Sequence, residues 1–279
     1  MKSKLQSAME YLMTYGWAIL VIAVVLGVLY SLGIFSPSNF APKAQPGSCQ
    51  VFRPNGPGTN YDINLEGTCS GELPEYAAQF DGKSSYINAG ESSLLQSNTF
   101  TITAWVNPAT LDLSGNAITG SSSPSGVEFR LANSGGKLYL QALKEDITGI
   151  GTSTGYVSAG TWSFVAVTYN SSANGAYAYY VNGANAGSGN NLQTFSWSSQ
   201  YIGKQSSNTE YFNGMLSNVQ IYNVSLSGND VAALYAEGIG GTPTDLRHIC
   251  GWWPLNGNAN DYSGNNNDGI PTNIIYKNT

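Results

Sequence analysis

The longest apolar stretch of the chain lies near its N-terminus. No residue from 11 to 35 is charged. As a helix this run would be about 37 Å long at about 1.5 Å per residue, whereas the hydrocarbon core of a bilayer is about 30 Å thick. The pattern therefore predicts a helix over residues 6–35 that lies in a membrane at some stage.

A short basic segment precedes this predicted helix. Residues 1–5 contain Lys2 and Lys4. Positive charge beside an apolar helix stays on the cytoplasmic side, so everything after the helix is expected outside the cell. Glu10 lies where the apolar run begins, and a carboxylate there is costly in lipid unless another group pairs with it.

Beyond residue 35 the pattern changes to short alternating runs. Residues 36–47 contain three prolines and are expected to form a stiff, extended linker. In the segment 99–108, every second residue from Phe100 to Val106 is apolar, which is the period of a strand. Similar runs predict strands at 127–131, 137–143, 162–169, 176–181, 184–186, 201–203 and 215–222. We therefore expect residues 48–279 to form one all-β sandwich.

Two local signals add a hairpin and a helix. Asn182-Gly183 between two apolar runs is typical of a tight hairpin turn. Ser227, followed by Asp230 and an apolar stripe, predicts the start of a helix, and Gly238 predicts its end.

Composition argues against nucleic acid as a partner. Charged residues make up 10% of the chain and the net charge is −6. No cluster of Lys and Arg occurs beyond the basic start, so the electrostatic footprint of a nucleic-acid binder is missing from the sequence.

The cysteines indicate a disulfide rather than a metal site. Cys49, Cys69 and Cys250, with the single histidine His248, lack the spacing of a zinc ligand set. Outside the cell a disulfide is the expected state. Three single pairings are possible, and we favour Cys49 with Cys69, which would close a loop across a stretch rich in Pro and Gly. Asn170 and Asn223 begin N-glycosylation sequons.

The first 35 residues resemble the archaeal type IV pilin-like proteins that carry a class III signal peptide. The resemblance rests on the basic leader 1–5, on Gln6-Ser7-Ala8, on Glu10-Tyr11 and on the apolar run. It implies cleavage between Leu5 and Gln6, and a filament in which Glu10 neutralises the new amino terminus of a neighbouring subunit. Ala23, Gly27 and Ser31 are spaced by four, a pattern that lets helices approach closely. The alternative is a plain signal-anchor that holds one domain at the cell surface.

The rest of the chain resembles the concanavalin A-like, laminin G-like jelly rolls. The residues that carry this resemblance occur in the family's order along about 160 residues: 78–82, 86–87, 100–106, 162–169, 180–183, 212–223 and 234–235. It implies a fold made of an N-terminal membrane or filament helix followed by an all-β sandwich.

One segment of the resemblance is displaced along the chain. Residues 251–265 look like the stretch that usually opens such domains, but here the segment 251–269 lies near the C-terminus. Either the domain is circularly permuted, which nearby termini permit, or the strand completes the sheet of a neighbouring subunit. Permutation, the simpler interpretation, predicts that residues 252–255 pair within their own chain, beside strands near Phe80 or Met215.

Sugar binding is the chemistry that this resemblance suggests. Aromatic side chains stack on sugar rings, and the candidates in loop-like contexts are Tyr156, Trp197, Tyr201 and Tyr211. The alternative for an aromatic residue of a sandwich is a place in its core. We favour that alternative for two other aromatic residues, Trp105 and Trp162. Some relatives hydrolyse glycans, but the acidic spacing of their catalytic strand is absent from this sequence, so we expect no enzyme.

The resemblance also suggests a calcium ion. The corresponding positions are Asn218, Asn260 and Asp261, and Asn in place of Asp at 218 lowers the charge of the ligand set. The alternative is a turn in which the side chain of Asp261 binds its own backbone.

Together these features predict a cell-surface structural or adhesive subunit. Its helix would pack with identical subunits in a type IV pilus-like filament, and its sandwich would bind glycans or surface proteins. The alternatives are a glycan-binding module on a lone membrane anchor and a degraded glycoside hydrolase.

Overall fold

A computed structural model describes residues 18–28, 49–52, 60–63, 74, 76–91, 97–111, 116–123, 125–144, 148–205 and 210–278. The chain divides between Lys43 and Ala44 into two units. Leu5, Gln6, Glu10, Ser31 and the predicted linker 36–47 lie outside the described residues.

The first described element is a helix, α1, over residues 18–28. Its apolar side chains are exposed, and Ala23 and Gly27 lie four residues apart on one face. Among the helices of the described ranges, none has the length and apolar character needed to cross a membrane.

Two antiparallel sheets form a sandwich in the second unit. The eight-stranded sheet contains β3 (Tyr76–Asp81), β5 (Thr99–Pro108), β10 (Ser163–Asn170), β11 (Ala176–Val181), β12 (Ala184–Asn190), β14 (Asn213–Tyr222), β15 (Ile249–Trp253) and β17 (Ile275–Asn278). The seven-stranded sheet has the order β16 (Ile270–Thr272), β4 (Tyr86–Asn88), β13 (Gln200–Ile202), β6 (Asn116–Ser121), β7 (Glu128–Ser134), β8 (Lys137–Leu143) and β9 (Gly149–Val157). A separate pair consists of β1 (Cys49–Phe52) and β2 (Asn60–Ile63). The all-β concanavalin A-like sandwich expected from the sequence is confirmed.

The core lies between the two sheets and follows the period of two. In β5, Phe100, Ile102, Ala104 and Val106 point into the core, where they join Phe129, Leu131, Leu138 and Leu140 of the opposite sheet. Trp105 points to the other side of its sheet, onto a second cluster. Both faces of β5 are therefore covered, as its sequence indicates.

That second cluster is closed by a helix, α2 (Gly228–Ala236). Its start has the predicted capping box, in which the Ser227 side chain accepts from the backbone of Asp230 and the Asp230 side chain accepts from the backbone of Ser227. Val231 and Leu234 are its buried residues, and Tyr235 stacks on Trp105 with ring centroids 5.8 Å apart.

The C-terminal strands pair within their own chain. Trp252 and Trp253 of β15 lie opposite Gln220 and Val219 of β14. β3 pairs with β14 farther along, at residues 213–216, so β3 and β15 are both partners of that strand. This is the pairing that a permuted domain predicts. The strands β16 and β17 then extend the edges of the two sheets beside β4 and β3.

Candidate functional site

The side of the seven-stranded sheet that points away from the core carries a row of aromatic, polar and charged side chains. In β7 and β8, Phe129, Leu131, Leu138 and Leu140 face the core, so the residues that alternate with them face outward. We call this surface the outer face, and its main residues are Tyr86, Glu128, Arg130, Lys137, Tyr139, Gln141, Tyr156 and Tyr201.

An ion pair and an amide lie at the centre of the outer face. The Arg130 guanidinium donates through Nη1 to both carboxylate oxygens of Glu210, at 3.0 and 2.8 Å. It also donates through Nε and Nη2 to Gln141 Oε1, at 3.2 Å each. The Gln141 amide donates onward to Thr152 at 3.0 Å. This network holds Arg130 across three neighbouring strands.

Glu128 is a buried carboxyl group beside this pair. Its residue is 3% exposed, and its Oε1 lies 3.7 Å from Arg130 Nη1. The side chains of Glu210 and Gln205 lie close to its carboxyl group. Burial first, and then repulsion from Glu210, outweigh the attraction of Arg130 and raise the pKa of Glu128 to about 8. Near neutral pH this carboxyl group is therefore largely protonated.

A lysine lies over two tyrosine rings on one side of the network. The Nζ of Lys204 is 4.3 Å from the ring centroid of Tyr86 and 4.5 Å from that of Tyr201. The two rings meet edge to face at 5.9 Å. Cation–π attraction favours this arrangement, and Lys204 is only 7% exposed.

A second lysine–tyrosine pair lies at the other side, on β8 and β9. The Nζ of Lys137 is 4.2 Å from the ring centroid of Tyr156, and the ring of Tyr139 lies 6.0 Å from that of Tyr156. Tyr156 is 45% exposed. Four strand spacings, about 19 Å at about 4.8 Å per strand, separate β9 from β13 across the sheet.

Residues 204–205, after β13, and 210–211, before β14, are the paired arms of a hairpin, and the backbone of Lys204 lies directly on the sheet. Lys204 and Tyr211 form an antiparallel β-bridge, and the backbone N–H of Gln205 donates to the backbone oxygen of Glu210 at 2.9 Å. A Cβ added at Gly120 of β6 would lie 2.5 Å from the backbone oxygen of Lys204. Glycine at 120 thus lets the hairpin approach and bring Glu210 to Arg130.

The sequence candidates for sugar stacking separate into two groups. Tyr156 and Tyr201 lie on the outer face, and Tyr211 is the bridge partner of Lys204. Trp197 is 8% exposed and packs in the core, with its ring centroid 5.2 Å from that of Phe100. Trp197 is therefore a core residue, which is the alternative that the sequence left open. Trp105 is packed against the α2 cluster, and Trp162 is partly buried.

Sequence reasoning did not select the charged residues of the outer face. Glu128 and Arg130 are two residues apart on β7, but 80 positions separate Arg130 from Glu210. A signal was available in β7, because the segment 128–132 alternates charged or small residues with apolar ones in a chain with few charges.

Two of the three calcium candidates, Asp261 and Asn218, accept hydrogen bonds from Trp252. Asp261 Oδ1 accepts from the backbone N–H of Trp252 at 2.9 Å and from that of Ser263 at 2.8 Å, and its Oδ2 accepts from Ser263 and Asn267. Asn218 Oδ1 accepts from the Trp252 indole at 2.8 Å, and its amide donates to Gly241 O at 2.9 Å.

Asn218 also has φ of 48°, a conformation that Asn tolerates better than most residues, and Asn260 is exposed. Within the ranges that the structure describes, no group of three His, Cys, Asp or Glu side chains could hold a metal ion. Calcium remains a prediction.

The predicted covalent sites are only partly described. Cys250 is a free, buried thiol, and burial raises its pKa to about 12. Cys69 and the side chain of Cys49 lie outside the described residues. The Asn170 side chain accepts from the backbone of Ser172 and Ala173 at the start of a 3-10 turn, whereas Asn223 is exposed.

Comparison with known proteins places the sandwich among lectin-like folds. The family model described as the concanavalin A-like lectin/glucanases superfamily matches residues 81–232, more than half of the chain. No curated protein matches the sequence.

Among solved structures, a candidate carbohydrate-binding protein from Bacteroides ovatus ATCC 8483 is similar, with a TM-score of 0.58 and 19% identity. The match covers 74% of this chain and 61% of that one, so this chain spans less than two thirds of its length. A native heptameric SAP-like pentraxin from Limulus polyphemus has a TM-score of 0.55 and 14% identity, over 74% of this chain and 95% of that one. At these identities the likeness shows the fold alone.

Proposed function

Because this chain belongs to the concanavalin A-like lectin/glucanases superfamily, we propose that its sandwich is a carbohydrate-binding domain exposed outside the cell. The observation that carries the proposal is the outer face, where tyrosines flank a network of hydrogen-bonding side chains. Sugar sites combine such aromatic groups with a few well-placed polar groups. The similar protein from Bacteroides ovatus, a candidate carbohydrate-binding protein, supports the same role.

A glycan array with the full-length protein tests this proposal. Tyr156→Ala and Tyr201→Ala should each weaken binding to the best glycan about tenfold, as expected for one lost aromatic contact. Tyr235→Ala is the control, because Tyr235 packs against Trp105 on the opposite sheet. If no glycan binds, or if the control weakens binding equally, the proposed site is wrong.

The proposed role is binding without turnover. Glu128 and Glu210 nevertheless form an acidic pair, which is what the alternative of a degraded hydrolase would retain. Incubation with the bound glycan should release no reducing ends. If reducing ends are released, and if Glu128→Gln abolishes their release, the protein is instead a hydrolase.

We further propose that the N-terminal segment makes this protein a subunit of a type IV pilus-like filament. Support comes from the pilin-like leader, from the exposed apolar side chains of α1, and from Ala23 and Gly27 on one face. The domains would be the leader 1–5, the helix 6–35, the linker 36–47 and the sandwich 48–279, with the segment 251–269 completing it.

Mass spectrometry and electron microscopy of surface material test the filament. The mature protein should begin at Gln6 and occur in periodic filaments, and Glu10→Ala should abolish filaments while leaving the folded sandwich. Uncleaved, monomeric protein in the membrane would favour the lone anchor.

Calcium at Asn218, Asn260 and Asp261 is a further proposal that the family resemblance supports. Chelator should then lower the melting temperature of the full-length protein, and added calcium should restore it. An unchanged melting temperature would contradict the site.

A further inference from the structure

The outer face combines one exposed and three half-buried tyrosine rings, those of Tyr156 and of Tyr86, Tyr139 and Tyr201, with an excess of positive charge. Three cationic side chains lie on it, those of Arg130, Lys137 and Lys204, although the whole chain has a net charge of −6. Among the described residues, the carboxyl groups beside them are those of Glu128 and Glu210.

The two carboxyl groups do not cancel this charge. Glu210 is occupied by its ion pair with Arg130. The pKa of Glu128 is raised to about 8, chiefly by burial, so this group is largely uncharged near neutral pH. Neither Lys137 nor Lys204 forms an ion pair with any carboxylate that the structure describes. Two ammonium charges on this surface are therefore left uncompensated by described carboxylates.

Both ammonium groups lie on tyrosine rings. Lys204 contacts the rings of Tyr86 and Tyr201, and Lys137 contacts that of Tyr156. The same contact orients the ammonium group, so an incoming anion loses less free energy in ordering the flexible lysine side chain.

Lys204 shows that the charge is built into the fold. It is 7% exposed and held between two rings, and a buried charge is costly unless it is paired. An anion of the ligand would pair with this charge.

We propose that the outer face binds anionic polysaccharides, with Lys204 and Lys137 each receiving a carboxylate or sulfate group of the same chain. This inference rests on the proposed carbohydrate-binding function and names its ligand class. The strands that carry Tyr201 and Tyr156 are four spacings apart, about 19 Å across the sheet at about 4.8 Å each, so a single charged sugar cannot reach both pairs. Between them, Arg130 and Gln141 offer hydrogen bonds to hydroxyl groups.

Calorimetry on the full-length protein tests this with ligands that differ only in charge. The probes are oligogalacturonides and their methyl esters, together with dextran sulfate and dextran. We expect each anionic member to bind at least about tenfold more tightly than its neutral counterpart, and its affinity to fall as salt rises. If only dextran sulfate binds, the anionic group of the ligand is a sulfate. If only oligogalacturonides bind, it is a carboxylate. Either result supports the proposal.

Charge variants locate the site. Lys137→Gln should weaken anionic binding about tenfold and Lys137→Glu more strongly, and neither should unfold the protein because Lys137 is exposed. Lys204→Arg should retain binding and Lys204→Met should lose it, with melting temperatures used to exclude unfolding. Lys83→Gln and Lys277→Gln, exposed lysines away from the outer face, are the matched controls.

The outcomes separate this inference from the proposed function. Equal binding of charged and neutral members, with Tyr156→Ala weakening both, would overturn the anionic ligand and keep the carbohydrate-binding domain. Equal losses in the lysine controls would mean nonspecific charge attraction and would also overturn it. Binding to no saccharide at all would overturn both.

Discussion

Burial changes the chemistry of the Glu128 carboxyl group. It is buried beside another carboxylate, and the one nearby cation among the described residues, Arg130, is shared with Glu210. Since the folded protein binds the Glu128 proton more tightly than the unfolded chain does, this group contributes stability that is fully present below about pH 4.5. The contribution is lost as pH rises toward about 8.

Replacing Glu128 by glutamine tests this linkage. Glutamine keeps the shape but cannot ionise, so the variant should lose less stability than the wild type between pH 5 and pH 8. The difference should be on the order of a few kcal/mol. Urea unfolding at several pH values measures it, with Glu91→Gln, an exposed carboxylate, as the control. If the free energy of unfolding depends on pH in the same way in the wild type and in Glu128→Gln, the raised pKa of Glu128 is contradicted.

Cys250 should be nearly inert in the folded protein. Its thiol is buried and its pKa is raised to about 12 by that burial, whereas the thiolate is the reactive form. Iodoacetamide at pH 8 should modify Cys250 at least about a hundredfold more slowly in the native protein than in urea. Peptide mass mapping measures the rate, and equal rates in both states would show that the thiol is accessible.

At the scale of elements, α2 is stabilised by its capping box. Removing the Ser227 side chain leaves backbone N–H groups at the helix start without their acceptor. Ser227→Ala should therefore lower the free energy of unfolding by about 1 kcal/mol. Urea denaturation measures this, with Ser225→Ala, outside the box, as the control; an equal loss in the control would mean that the cap is not the cause.

The position of the hairpin on the outer face requires glycine at residue 120. Because a Cβ at position 120 would lie 2.5 Å from the Lys204 backbone oxygen, Gly120→Ala must displace the hairpin. We expect a loss of about 2 kcal/mol in stability, as for other overpacked sites, together with loss of saccharide binding.

Gly228→Ala is the matched control, since a Cβ there meets no atom closer than 3.5 Å. Alanine at this position, the start of α2, should leave the stability of the protein unchanged or raise it slightly. Circular dichroism melts compare the two variants, and an unchanged melting temperature in Gly120→Ala would show that the hairpin can move freely.

At the scale of the whole molecule, the last 30 residues complete the structure begun by the first strands of the sandwich. Tyr76 of β3 lies opposite Asn278 of β17, and Tyr86 of β4 lies opposite Thr272 of β16. The two ends of the sandwich are therefore adjacent in space, which is the condition for circular permutation.

A rearranged chain tests this. Residues 246–278 placed before Tyr76, with Asn278 joined to Tyr76 by Asn-Gly, should fold to the same sandwich and melt in one transition. A second variant that ends at Asp245 should not fold, because it lacks β15 and the buried Trp252 and Trp253. If the truncated variant folds, or if the rearranged chain assembles only by exchanging strands between copies, pairing within one chain is not what completes the domain.

What the sequence determined by itself was the identity and bounds of the strongly patterned elements. β5, β8 and β11 have the predicted bounds, and α2 has its predicted cap, because alternation and capping are local properties of neighbouring residues. The strands β6, β9, β16 and β17 escaped prediction. They are short or rich in Gly, Ser and Thr, and they exist because partner strands pair with them.

What only the tertiary structure decided was which side chains meet. Tyr156 and Trp197 look alike as aromatic residues in polar surroundings, yet one is exposed and the other is packed on Phe100. Glu128, Arg130 and Glu210 are brought together by strand pairing and by a hairpin that fits over Gly120. Burial and charge pairing are properties of contacts between distant segments, so the outer face and its excess of positive charge emerged only when the two sheets were in place.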